Sequence, residues 1–316
     1  VSDETPTGED REHGLEAGVV LGVLVPGLPQ PLLCPEANPG YARLRKAYDT
    51  VRERITAAKP DLILVYSTMW ISIIGHQFQA DPTPTWVHVD ELFHELGSMP
   101  YAFRVDAPFA HALERSAAAR GLQARTVNHH GFPIDTGTVV ALKLLNPDNA
   151  VPAAIVSSNM YSDRTETRVL GKACREAIDR GKRRVVVVVV GTLSNRLFTD
   201  WIDPKDDRVH SAKDDEWNRK ILEFLGQGRL EDVAQLSREM QRQIRIPKVV
   251  NYKSFWFWSA IMGSHNEYRG EVLAYEALFG TGGAVVTLEP APGGVGLKEF
   301  DEDDVDVWRG DRNVVA

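Results

Sequence analysis

GVVLGVLVPG (18–27) is apolar at nearly every position until it reaches a Pro-Gly turn, the pattern of a strand buried on both faces. Between 41 and 58 the period changes. Leu44, Ala47, Tyr48, Val51 and Ile55 recur at helical spacing and share one face. PDLILVYS (60–67) returns to a short apolar run. A strand–helix–strand unit of this kind demands parallel pairing and a right-handed crossover. The alternation continues with a helix at 107–120 and strands near 122–127, 137–144 and 152–157. A helix at 166–180 then leads into RRVVVVVVGT, whose six consecutive valines mark the central strand. Residues 213–243 pattern as two helices joined at GQGR, with Asp214 and Asp215 where carboxylates complement a helix dipole. A helix at 251–262 precedes strands near 271–276 and 283–288, and FGTGGAVV reads as a tight turn into the last of them. The sum is one α/β domain over 17–289, a central, largely parallel or mixed sheet flanked by helices.

Outside that span the pattern disappears. Residues 1–16 bury too little apolar surface to offset ordering, so a flexible arm is expected; 290–316 reads as an acidic tail. The net charge of −8, with no basic patch to oppose it, argues against nucleic acid. No apolar run approaches the ~20 residues that span a bilayer, so no membrane role is expected. The polar start has no signal-peptide core, and a cytoplasmic protein is the expectation. Cys34 and Cys174 are too few for a cysteine zinc site.

In α/β sheets ligands gather beyond the carboxyl ends of the strands. The candidate site is therefore Pro26-Gly27, Ser67-Thr68-Met69, Gly191 to Asn195 and the loop before Gly137. Known chemical signatures do not fill it. HVDELFHELG (88–97) lacks HExxH, and one Glu91-x-x-His94 lacks the second copy that a di-iron helical site needs. His129-His130 precedes GFPIDTGT and fits either a pocket edge or a hydrogen-bonded loop pair. GxSxG is absent. Phe255 to Trp258 fit core or interface packing. Composition and spacing alone assemble no catalytic set.

Taken in order, VLVPGLPQPLLCPE, DLILVYSTMW, VHVDELFHELG, NHHGFPIDTGTVVAL, GTLSNRLF, DDEWNRKILEFLGQGRLEDV and EVLAYEALFGTGGAVV resemble the class III extradiol ring-cleaving dioxygenases over about residues 18–288. The resemblance implies a site for non-haem Fe(II) held by two histidines and a glutamate. It places the first histidine at Gly27, the second at Met69 and the glutamate at Glu271. An acid–base histidine falls on Asn195. Glycine offers no ligand, a thioether suits Cu(I) better than a hard ferrous site, and an amide does not titrate near pH 7.

The resemblance thus implies a chain without cofactor or catalytic residue, and an emptied pocket around Asn195, Tyr66, His129 and His130. Fe(II) is expected in a homologous iron-bearing β subunit, within an α2β2 heterotetramer that opens the ring of 2-aminophenol or a related aminophenol with O2. The helix at 251–262 and the acidic tail are the candidate contact surfaces. Two alternatives remain: an enzyme with a metal site rebuilt from His129, His130 and Glu271, and a metal-free protein that binds small aromatics.

Overall fold

The valines of the central strand β8 (Arg184–Val190) divide between two cores. Val185, Val187 and Val189 face one apolar layer, and Val186, Val188 and Val190 face the other. All six are fully buried, as period-two alternation in a doubly covered strand requires. Each contributes about 1.5–3 kcal/mol of burial. β1 (Gly18–Val25) and β2 (Leu62–Ser72) lie parallel to β8 on its two sides.

The computed structural model describes residues 17–243, 250, 252–263, 265–291 and 307–309. The expected N-terminal arm, and most of the expected tail, lie outside them. After β1 the chain forms α1 (Gln30–Leu33) and α2 (Pro39–Ala58), then β2, β3 (His76–Gln79) and a hairpin of β4 (Thr85–His88) and β5 (Met99–Ala102). It continues through α3 (Ala107–Ala119), β6 (Ala124–Val127), α4 (Thr136–Leu145), β7 (Ala153–Asn159) and α5 (Arg164–Gly181) to β8. α6 (Ala212–Gly226), α7 (Leu230–Gln243), α8 (Lys253–Met262), β9 (Tyr268–Leu278) and β10 (Thr281–Pro290) complete it.

The sheet runs β6-β3-β7-β2-β8-β1-β10-β9. Its four central strands, β7, β2, β8 and β1, are mutually parallel, while β10 and β9 add an antiparallel hairpin at one edge. That hairpin turns at Phe279 and Gly280, both at positive φ, the conformation that matches the twist of paired strands. α1, α2 and α4 supply the core on one face; α3 and α5 to α8 supply the other.

The expected strand at 137–144 is instead α4. Its β-branched start, TVV, imitates a strand, and nine of its ten residues are buried, so periodicity carries no information there. Local capping decides it. Asp135 accepts a hydrogen bond from the Thr138 amide at 3.0 Å and starts the helix. The aromatic helix is also not a contact surface: all ten residues of α8 are buried. Of the tail, Trp308 is half-buried against the core, and its indole N–H donates to the Arg120 carbonyl at 3.0 Å.

Candidate functional site

Three strand exits converge where the sequence places them. β2 leaves its ladder with β7 after Ser67 and rejoins at Ile71, so Thr68, Met69 and Trp70 bow outward. Bulges of this kind re-aim side chains at the mouth of a site. Gly27 follows β1, and Gly191 to Asn195 follow β8, tied back by the Gly191 amide donating to the Val25 carbonyl at 3.0 Å. From these exits Gly27, Thr68, Met69, Gly191, Thr192 and Asn195 line a cavity of 250 Å³ with Leu28, Ile71, Leu197 and Val250.

The floor of the cavity is closed by sulfur. A Cβ on Gly27 would lie 2.6 Å from Val190 Cγ1, 2.7 Å from Met69 Sδ and 2.8 Å from Gly137 Cα. A Cβ on Gly137 would meet the same sulfur at 2.9 Å. Met69 therefore sits between two glycines, one just after β1 and one on α4. The Ser67 hydroxyl donates to Asp135 at 2.6 Å and accepts from the Met69 amide at 3.2 Å, which joins this bulge to the cap of α4.

The polar groups around the cavity are largely engaged. The Thr68 hydroxyl donates to the Val190 carbonyl at 3.0 Å, and the Thr192 hydroxyl donates to the Asn195 side-chain oxygen at 2.6 Å. The Asn195 amide donates to Thr281 Oγ1 at 2.9 Å. Asn195 has φ +50°, a left-handed conformation that Asn, Asp and His tolerate better than other side chains do. Two hydroxyls, a carboxamide and a packed thioether are not donors for a ferrous ion, which prefers imidazole and carboxylate. Among the described residues no three His, Cys, Asp or Glu side chains gather as a metal site.

The structure brings Gly27, Met69 and Asn195 together and leaves the other named residues elsewhere. Glu271 pairs with Thr287, and Thr287 with Val23. It stands two strands out from β1 and four residues short of Gly27, roughly 16 Å away at strand spacings. Its carboxylate is held by Arg54 of α2 at 2.6 Å, so it is a surface ion pair rather than a ligand in waiting. Tyr66 points to the opposite core, because successive residues of a strand face opposite ways. It is fully buried, stacked on Phe257 with ring centroids 4.1 Å apart, and burial pushes its phenol well above the ordinary range. His129 and His130 are exposed on their loop, with His130 Nδ1 3.2 Å from Asp81. None of these lines the cavity.

Sequence reasoning missed Leu28, Ile71, Leu197 and Val250. The first three lie within three residues of a predicted exit, so a wider window on each exit finds them. Val250 reaches the cavity from just before α8, and no local signal marks it.

Comparison with known proteins gives the lineage. Residues 30–287 match the family model described as the catalytic LigB subunit of aromatic ring-opening dioxygenase. The chain is 34% identical over 271 residues to the 2-aminophenol 1,6-dioxygenase alpha subunit of a Pseudomonas species, covering 85% of this chain and 98% of that one. It is 30% identical over 263 residues to the beta subunit of the same name, covering 80% and 85%. Among solved structures, an uncharacterized Escherichia coli K12 protein shares the fold with a TM-score of 0.57 at 12% identity, over 85% of this chain and 99% of that one. With a family match across most of its length and two relatives at or above 30% identity, the chain belongs to the LigB family of aromatic ring-opening dioxygenases.

Proposed function

We propose that this chain is the non-catalytic, iron-free α-type subunit of a cytoplasmic, heteromeric extradiol dioxygenase. Its homologous partner carries Fe(II) and inserts both atoms of O2 into the ring of 2-aminophenol or a related aminophenol. The assembly is an α2β2 heterotetramer. The observation that carries this reading is the seat of Met69. Where the resemblance puts the first histidine, position 27 has no side chain, and Val190 at 2.6 Å, the Met69 sulfur at 2.7 Å and the Gly137 backbone at 2.8 Å crowd the place where one would start.

The chemistry follows from the donors. Two missing ligand imidazoles leave a glycine and a thioether, and the missing acid–base imidazole leaves an amide. Neither the thioether nor the amide is a strong ligand for ferrous iron, and neither moves a proton near pH 7. The alpha-subunit relative is matched along 98% of its length, which supports the same architectural role here.

The test is to purify the native complex through a tag on this chain, separate the subunits and assay each for iron and ring cleavage. Expected are an iron-bearing homologue in the complex, iron and turnover in the partner, and neither in this chain. Stoichiometric iron with aminophenol cleavage in this chain alone overturns the reading. The 250 Å³ cavity also favours a second reading, a metal-free binder of small aromatics. That reading predicts saturable binding of 2-aminophenol by this chain without a partner.

A further inference from the structure

Among the described residues, eight of the ten exposed large hydrophobic side chains fall in two groups, Ile71 to Ile74 with Tyr161 and Trp86 to Leu92. Ile71, Ile73 and Ile74, which are 43%, 61% and 53% exposed, end β2 and open the turn into β3. Tyr161, 74% exposed, follows β7 beside them, where the Met160 amide is bonded to the Ser72 carbonyl at 2.8 Å. The second group is Trp86, Val87, Val89 and Leu92, on β4 and just beyond it, 45% to 56% exposed. His88 of β4 and Ile73 line one groove of 510 Å³, which joins the two groups. On the far side of β4, Trp86 and Val87 line a second, largely apolar hollow of 730 Å³ against α4.

This is not the scatter of single apolar residues that ordinary surfaces show. The exposed side chains present on the order of 900 Å², against ~800 Å² per partner in a standard interface. Among the described residues the β4–β5 hairpin pairs with no other strand; Met99 and Tyr101 of β5 are buried in the core, while Trp86 and Val87 of β4 are left exposed. Met69 and Ile71 line both this groove and the cavity between the strand exits, so whatever covers the patch also sits at the mouth of the emptied site.

We propose that the β2–β3 turn and the β4–β5 hairpin form the surface that docks the homologous iron-bearing subunit. The inference rests on the two-subunit reading above. That partner is the occupant of choice because one fold supplies both kinds of subunit in the relatives, and this chain matches both. An apolar, aromatic-centred face of this area is the kind that a permanent neighbour covers.

Amide hydrogen exchange of the separated chain and of the native complex tests it. Exchange across 71–74 and 85–92 is expected to slow about tenfold or more on assembly, a lower bound set by tight association. Val87→Glu and Ile74→Glu are expected to weaken assembly about tenfold or more, as charges in a desolvated interface centre do. Trp201→Glu, at an exposed aromatic outside the patch, is the control and is expected to leave assembly unchanged. Unchanged exchange at the patch with protection elsewhere overturns the inference and leaves the two-subunit reading standing. Protection of the patch by a homodimer of this chain overturns the choice of occupant. If no iron-bearing homologue co-purifies, the two-subunit reading itself falls, and the docking assignment with it.

Discussion

The sulfur of Met69 occupies the space that a side chain on Gly27 would need, 2.7 Å from the ideal Cβ position. The two positions that the resemblance assigns to histidines therefore pack against each other, and the thioether reaches on to Gly137 of α4.

Gly27→Ala is expected to destabilise the chain by about 1–3 kcal/mol, the usual cost of overpacking a filled site. Met69→Ala in the same chain relieves one of three close approaches and leaves Val190 at 2.6 Å and the Gly137 backbone at 2.8 Å. The rescue should be partial. Urea unfolding of the single and double variants measures it, and full recovery in the double variant contradicts the packing described here.

Glu271→Ala is expected to change stability by less than about 1 kcal/mol, as for other exposed ion pairs, since its side chain is 54% exposed and its partner is Arg54. Iron content and aminophenol turnover of the native complex should be unaffected. A loss of bound iron in this variant would favour the rebuilt metal site over the emptied one.

How far the sequence reveals this architecture depends on whether a signal is local. β1, β2 and β8 are legible because uninterrupted apolar runs have few other uses, and the strand-exit rule then picks out Gly27, Met69 and Asn195 from residue order alone. α4 is not legible, because a helix buried all round has no polar face and its β-branched residues imitate a strand. Its identity comes from Asp135, which is itself fixed by Ser67 from 68 residues away. β3, β4 and β5 have four residues each, too short for a period to show. The assignment of Glu271 follows a short motif whose glutamate is committed to an arginine 217 residues earlier, a pairing that only the sheet reveals.

Lys253 gives the chain a pH signature. Its side chain is buried at the start of α8, where the ammonium donates to the carbonyls of Asn159 and Met160 at 2.5 and 3.0 Å. Burial pulls it down from 10.5 to about 8, although Glu166 and Asp163 nearby favour its charge. Between about pH 8 and 9 this side chain binds more protons in the unfolded chain than in the folded one, so stability should rise with pH there. Above about pH 9 the rise flattens, because burial pushes the Cys34 thiol up from 9.0 to about 11 and the Cys174 thiol higher, and both act in the opposite sense. Below pH 8 both forms are protonated and the slope vanishes. Lys172, also brought to about 8 by burial first and then by Arg120 and Arg168, adds to the rise. Urea unfolding from pH 7 to 9.5 should show the rise, and Lys253→Met should lower stability while flattening the slope. Equal slopes in the two proteins would mean that the buried amine does not titrate as described.

Gly171 decides how closely α5 and α8 approach. A Cβ there would lie 2.7 Å from Ala260 Cβ and 2.8 Å from the Phe257 carbonyl oxygen. In an exposed helix, replacing glycine with alanine gains ~1 kcal/mol of helix propensity. Here the sign should reverse, because the obstructing atoms include backbone and α8 is fully packed. Gly171→Ala is expected to cost about 1–3 kcal/mol, and Gly171→Val more. Ala260→Gly added to Gly171→Ala removes one obstruction but leaves the Phe257 carbonyl, so it should recover only part of the loss. A shift of α8 would also carry Phe257 off the ring of Tyr66 and Ser254 away from Gly191, where it stands 3.4 Å from the Cβ position at the third strand exit. Thermal melting measures the cost, and tyrosine and tryptophan near-ultraviolet dichroism reads the displacement. A melting temperature that rises in Gly171→Ala would show that the two helices are not in contact at this residue.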